Sequence, residues 1–418
     1  MTALLALLAV PVFCFSVFAQ SAPDTPVLTL GLHHGPGSRA MGLGGAYTGV
    51  ADDFTATYWN PAGLAQIKRI ELQGSLLQTG YSNSTRFYMT PLDASSNFTR
   101  LNNLGMVFPV PVYQGALSFA IGYNQVVDYG ARANFRDDSG VLVDGETQSW
   151  NELETGRLGF WNFAGAMDVS PNVSLGLALC YWTGQDELSV SEKYWAGGWL
   201  TSDERLISTD LSGWGAIAGG LAKFGRWARM GFTIGTPITY KAQEEWSWAS
   251  EGESDAGYWD YRIRSPWILR WGFSLSPGRW LLAADIDYKD WTQVEYRSDP
   301  SQAWVVIEGD TIAYNRSRAN LYIRDTYRPT TGIHFGGEYL IPFYGMRTRL
   351  GFGLEPANEK NAPSGADRKI LGLGLGVLLD RSVLLDASFM HSWWKRRSDN
   401  LTEDITLNNL LLTLSYRF

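Results

Sequence analysis

The sequence predicts an all-β protein, a transmembrane 14-stranded antiparallel β-barrel with an N-terminal hatch in its lumen. Three observations predict it. Apolar residues recur with a period of two, not the roughly 3.6 of a helix, along nearly the whole chain. The apolar faces run for about nine residues, the span a tilted strand needs to cross hydrocarbon, and they end in Tyr or Trp. Connections alternate between short turns and long loops, as in outer-membrane barrels. Composition agrees: charged residues are only 18% of the chain, against roughly 25% in soluble proteins. A net charge of -8 argues against a nucleic-acid partner, because phosphate binding needs a basic face.

The first element is an apolar run from Ala3 to Ala19, with Val17-Phe18-Ala19 fitting signal-peptide cleavage before Gln20. No Lys or Arg precedes the run. It is short for a spanning helix and Pro11 interrupts it, so a cleaved leader is expected rather than an anchor. Phe13 stands where lipidation at Cys14 would need a small residue. Past the leader only Cys180 remains, which leaves no disulfide and no cysteine metal cluster. The expected plan is a signal peptide at 1–19, a hatch at 20–69 and the barrel at 70–418.

The hatch contains a compact, irregular stretch, RAMGLGGAYTGVADDFTATYWNPAGLAQ, from Arg39 to Gln66. Its glycines let the backbone turn tightly against a wall. Asn60 followed by Pro61 reads as the N-cap and first residue of a short helix ending at Gln66, and Asp52-Asp53 suit the cap of another. A barrel of fourteen strands has a lumen too wide for its own side chains to fill. This segment is the natural stopper. The alternative is a plain periplasmic lead-in.

Strands are expected at about 70–81, 103–110, 115–129, 157–169, 173–192, 207–223, 228–248, 258–275, 280–296, 326–340, 346–356, 368–379, 383–396 and 405–418. In the twelfth, Leu371, Leu373, Leu375 and Val377 share one face, while Gly372, Gly374 and Gly376 share the other and leave room for the hatch. A soluble sandwich also alternates, but glycines and charges on the second face would be costly in its core and are hydrated in a lumen. Long loops are expected at about 82–102, 130–156, 193–206, 249–257, 297–325, 357–367 and 397–404, and an even strand count puts both termini on the periplasmic side. With Pro277-Gly278 as a two-residue turn, Trp271 faces Ala284 toward lipid and Arg270 faces Asp285 in the lumen. Asp287 and Lys289 share that inner face, as a stiffening ion pair or a polar ligand contact. Pro237 removes a ladder donor and marks a kink in strand seven, whereas the third segment holds no proline.

Here the stretch resembles a known family. GSRAMGLGGAYTGVADDFTATYWNPAGLAQ is similar to the N-terminal signature of the FadL-like outer-membrane transport proteins, and closer to their PorV-like, spirochaetal branch. The resemblance implies a hatch-plugged barrel in the bacterial outer membrane that passes long-chain fatty acids or other hydrophobic molecules. It makes Arg39, Gly44, Gly45, Ala46, Asp52, Asp53, Asn60 and Pro61 hatch residues. In the transporter branch a kink in strand three opens the wall. The PorV-like branch also includes members that serve secretion, so the alternative is a scaffold of a secretion or envelope complex. Expected partners are a hydrophobic ligand, outer-membrane lipid and, through the last strand ending at Phe418, the barrel-assembly machinery.

The chemistry expected is diffusion, not turnover. A ligand would collect on loops rich in Trp195, Trp199, Trp246, Trp248 and Trp259, then meet an Arg or Lys with its carboxylate. An enzyme is not expected. The histidines are His33, His34, His334 and His391, and no Gly-x-Ser-x-Gly, His-Glu-x-x-His or phosphate-loop motif accompanies them. No cofactor or metal is expected.

Overall fold

A computed structural model of the chain describes residues 30, 34–87, 90–137, 148–196, 199–300, 304–307, 310–313, 315–342, 345–397 and 401–418. The expected leader at 1–19 lies outside the described residues. Fourteen strands form one antiparallel barrel. They are β1 Glu71–Phe87, β2 Thr90–Val110, β3 Leu117–Asp128 continued by Ala131–Asp137, β4 Gln148–Ser170, β5 Val173–Ala196, β6 Trp199–Phe224 and β7 Ala228–Gly235 continued by Thr239–Ser250. Then come β8 Glu253–Arg264 continued by Ile268–Leu275, β9 Trp280–Asp290 continued by Glu295–Tyr296, β10 Pro329–Ile341, β11 Met346–Glu355, β12 Arg368–Leu378, β13 Val383–Arg397 and β14 Leu401–Arg417. The barrel closes where β14 pairs with β1, from Glu71 opposite Arg417 to Phe87 opposite Leu401. Closure leaves no unpaired edge to face hydrocarbon.

Alternation makes the wall. Along β5, Leu175, Leu177 and Leu179 are about half exposed, while Ala178 and Cys180 are fully buried. The outward face then turns from apolar to polar: Tyr181 is followed by Thr183, Gln185 and Glu187. β5 has 24 residues, about 80 Å at roughly 3.3 Å per residue, so it rises well past an apolar band of about 25 Å. β9 to β12 have 10 to 13 residues each, so the wall is low on that side.

The tall strands correct the expected loops. Residues 82–87 pair with 90–95, 131–137 with 148–154, and 199–206 with 189–196, so much of the sequence expected as loop is hairpin. Above the membrane both faces are wet, and the alternation that flags a strand fades while the backbone ladder continues.

The turn after β8 also differs. Leu275 pairs with Leu282, Phe273 with Ala284, and Arg270 with Asp287, because the connection is four residues, Ser276 to Arg279, not two. Arg270 therefore does not face Asp285.

Four strands are interrupted. β3 bulges between Gln125 and Val127 and pauses at Tyr129-Gly130, although it holds no proline. β7 pauses at 236–238 and β8 at 265–267, around Pro237 and Pro266, and β9 gives way to a single turn at Trp291–Gln293. Side chains bridge the β7 pause: Thr236 Oγ1 accepts from Ala216 N at 2.9 Å, and Ser265 Oγ accepts from Ile238 N at 2.8 Å.

Before β1, α1 Ser38–Gly42, α2 Ala56–Trp59 and a 3-10 turn at Pro61–Gln66 fold into a compact segment enclosed by the wall. After β9 comes α3, Arg316–Thr326. The main buried cluster joins Leu43, Tyr47, Phe54 and Trp59 of the segment to Val107, Ala120, Phe160, Trp182 and Tyr240 of the wall.

Candidate functional site

The segment is seated by close backbone approach. Gly44 and Gly45 follow α1 with φ of 66° and 89°, a region that favours glycine. Their approach needs glycine on the other side too. A Cβ on Gly351 of β11 would lie 2.1 Å from Gly44 N, one on Gly176 of β5 2.3 Å from Pro61, and one on Gly231 of β7 2.2 Å from Thr48 O. Gly105 and Gly122 make the same room for the Phe54 ring, Gly336 for Leu43 and Gly372 for Met41. The inward glycines thus form a belt around the segment.

Polar bonds fix its orientation. Arg39 donates to both carboxylate oxygens of Glu338 on β10, at 2.9 and 3.1 Å, and pairs with Asp52. Glu338 also accepts from Arg349 Nε on β11 at 2.7 Å, and Arg349 pairs with Asp386 on β13. Asp285 on β9 accepts from Tyr47 N at 2.8 Å and Thr48 N at 2.6 Å, so it holds the segment rather than Arg270. Glu71 on β1 accepts from Phe54 N at 2.9 Å and from Arg417 at 2.7 Å. Asn60 donates to Thr48 O and to Gly220 O of β6, while its Oδ1 accepts from Ala62 N at 3.2 Å. Pro61 then opens a 3-10 turn. Asp53 accepts from Tyr47 OH at 2.9 Å and Thr55 N at 2.9 Å, and burial pushes its carboxyl above the usual range. Ala46 is fully buried.

Beside the segment lies a cavity of about 30 Å³, roughly one water's share of liquid volume. Arg270, Lys289 and Arg368 line it with Asp287, Glu355, His34 and His334. Arg270 donates to Asp287 at 3.3 Å and to Tyr58 OH at 2.8 Å, and lies over the Tyr58 ring at 4.5 Å. Arg368 donates to Glu355 at 3.1 Å. The ammonium of Lys289 has no hydrogen-bond or ion-pair partner among the described residues, and Trp291 stands 6.0 Å away. His334 Nδ1 donates to Gly44 O at 2.8 Å. Neither ring nitrogen of His34 has a partner among the described residues, and burial, helped by Arg368, pushes its pKa down to about 3.

An aromatic stripe leads away from this cavity along the inner wall. Tyr58 packs on Phe160 at 6.1 Å, Phe160 on Trp182 at 4.7 Å, and Trp182 on Tyr240 at 6.2 Å. Tyr261 and Tyr296, 6.0 Å apart, continue the same buried cluster on β8 and β9. The side chains of Trp195 and Trp199 lie outside the described residues, and Trp246 and Trp248 stand on the outer part of β7. No group of three or more metal-ligating side chains stands together among the described residues.

Of the residues singled out by sequence, Arg270, Asp287 and Lys289 come together and Asp285 is drawn off to the segment. Glu338, Arg349, Asp386 and Arg368 escaped notice, and sequence marks His334 only as a candidate catalytic or metal-binding histidine. Their one signal is position: Arg349 shares its face with Gly351 and Gly353, and Glu338 with Gly336 and His334.

Comparison with known proteins agrees with the barrel. The P. putida toluene transporter TodX superposes with a TM-score of 0.63 at 13% identity, over 92% of this chain and 99% of its own. A Pseudomonas aeruginosa FadL homologue gives 0.62 at 15%, over 92% and 98%. The Ralstonia pickettii toluene transporter TbuX gives 0.56 at 16%, over 92% and 98%. Such low identities speak for the fold alone. No curated protein matches this chain in sequence. The model of the outer membrane protein transport protein family (OMPP1/FadL/TodX) matches residues 36–416, so this chain belongs to that family of outer-membrane proteins.

Proposed function

We propose that the chain passes hydrophobic monocarboxylates, long-chain fatty acids first among them, across the outer membrane, with residues 34–67 as a hatch. The observation that carries this reading is Lys289, a cation of the cavity lining with no carboxylate in hydrogen-bond or ion-pair reach among the described residues. Three cations line the cavity against two carboxylates, Asp287 and Glu355, so one positive charge is left over with the histidines neutral. An aromatic hydrocarbon such as toluene offers that charge only a ring face, whereas a carboxylate pairs with it directly. The aromatic stripe suits the tail, where each buried methylene contributes about 0.8 kcal/mol. The cavity holds only about 30 Å³, so a ligand requires the hatch to shift. Pro237 and the neighbouring pause at Pro266 are the proposed exit through the wall, where no proline amide can join the ladder.

The test is uptake of a long-chain fatty acid by a strain lacking its own transporter. The wild-type chain restores uptake. Lys289→Gln weakens fatty-acid binding by about ten- to a hundredfold, the worth of a charge-assisted hydrogen bond, and leaves toluene passage unchanged. Failure of the wild-type chain to restore uptake sinks the reading. A scaffold role for a secretion or envelope complex is the second reading, favoured by hairpins of β5 and β6 that stand above the apolar band. It requires a stoichiometric partner in detergent extracts.

A further inference from the structure

On the outside of the wall, where β7, β8 and β9 pause together, lies a second cavity of about 350 Å³. It falls within the roughly 300–1,000 Å³ typical of ligand sites. Its level is set by the outward residues of β8. Leu275, Phe273, Trp271 and Trp267 are exposed and apolar, and the next outward side chains are Arg264 and Arg262. The apolar band therefore ends at Trp267, and the cavity sits directly above it, at headgroup depth.

The lining is cationic. Arg264 pairs with Glu295 at 3.3 Å, and Glu295 is already held by Arg297 at 2.6 Å. Arg324 of α3 lines the cavity, is exposed, and its guanidinium has no partner among the described residues. Three guanidinium groups thus stand by two carboxylates, Glu295 and Asp290, a surplus of one positive charge. Thr292 and Gln293 line the cavity as well, and Thr292 Oγ1 and Gln293 Nε2 donate to Asp290 at 2.6 and 3.1 Å. That surplus favours an anionic headgroup: a phosphate monoester carries about -1.5 to -2 near pH 7, whereas a zwitterionic headgroup carries no net charge.

We propose that this cavity binds the phosphorylated headgroup of a lipid in the surrounding leaflet, with Arg264 and Arg324 on the phosphate and the acyl chains along Trp267 and Trp271. Guanidinium geometry suits phosphate oxygens, and basic pockets on membrane proteins hold anionic headgroups in this way. The site lies on the lipid side of the wall, at the pauses proposed above as the exit, and headgroup binding there stands whether or not a transported ligand leaves by that route.

The test uses the full chain in nonionic detergent with fluorescent phosphatidic acid as the phosphate monoester and phosphatidylcholine as the comparison lipid. Saturable binding of phosphatidic acid is expected, with little for phosphatidylcholine. Arg264→Gln and Arg324→Gln each weaken it about fivefold and together about thirtyfold, whereas Arg381→Gln at the opposite end leaves it unchanged. Heat-shifted gel migration confirms that each variant still forms the barrel. Unchanged binding in the double variant overturns the proposal. Displacement of the lipid by millimolar inorganic phosphate overturns it too, because the site would then recognise free anion.

Discussion

At the scale of single residues, His34 makes seating of the segment depend on pH. Its imidazole is buried beside Arg368 and Glu355, and burial, with Arg368 adding to it and Glu355 opposing it, takes the pKa from about 6.5 to about 3. The direction follows from linkage. The undocked segment regains the ordinary value, so below about pH 6.5 it takes a proton that the docked form refuses until about pH 3. Docking therefore weakens as pH falls through that window, by about 2 kcal/mol at pH 5. Asp53, whose carboxyl burial raises, works the other way, so the informative quantity is the difference between wild type and His34→Gln. Hydrogen exchange of residues 34–45 should rise about thirtyfold more in wild type than in the variant between pH 7 and pH 5. Parallel slopes would remove His34 from this role.

At the scale of elements, the barrel is a sheet whose inner pleat has been cleared for a second body. Gly351 shows this: any Cβ there meets the backbone of Leu43 and Gly44 at 2.1 Å, whereas at Gly337 the nearest atom is Leu282 Cδ2 at 3.7 Å. Gly351→Ala should loosen the segment by about 1–3 kcal/mol, seen as faster proteolysis within 34–67, with heat-shifted gel migration intact. Gly337→Ala should do neither, and equal sensitivity of both would refute the close-approach argument. The same pleat explains what could be read from sequence. Leucine and glycine alternate through Leu371 to Gly376, so strand and faces were legible. The partner of Arg270 was not. A slip of two residues in the β8–β9 turn keeps every side chain on its own face, and alternation is blind to it. The outer ends of β1, β2, β4 and β6 escaped because water on both faces removes the pattern. The Arg39–Glu338 pair, 299 residues apart in sequence, leaves no local trace.

At the scale of the whole molecule, a wall that touches one segment on every side permits two behaviours. The segment either leaves part of the wall for each ligand or stays and forces the ligand around it. The pivot between them is the seam at α1 and β14, where Ser38 Oγ and Thr413 Oγ1 lie 2.7 Å apart and Ser75 Oγ bonds the same hydroxyl at 2.7 Å. Hydroxyls in contact put the two Cβ atoms near the roughly 3.5–4.5 Å that a disulfide spans. Cys180 is fully buried and offers no competing thiol. Ser38→Cys with Thr413→Cys should therefore cross-link under oxidation and pin α1 to β14. If the segment must move there, oxidised cells take up fatty acid at the background rate, a reductant restores uptake, and neither single variant responds to redox. Wild-type uptake through the oxidised, fully cross-linked barrel would show that the ligand passes without α1 leaving β14, and the moving part would then have to be sought at the turn after Asn60.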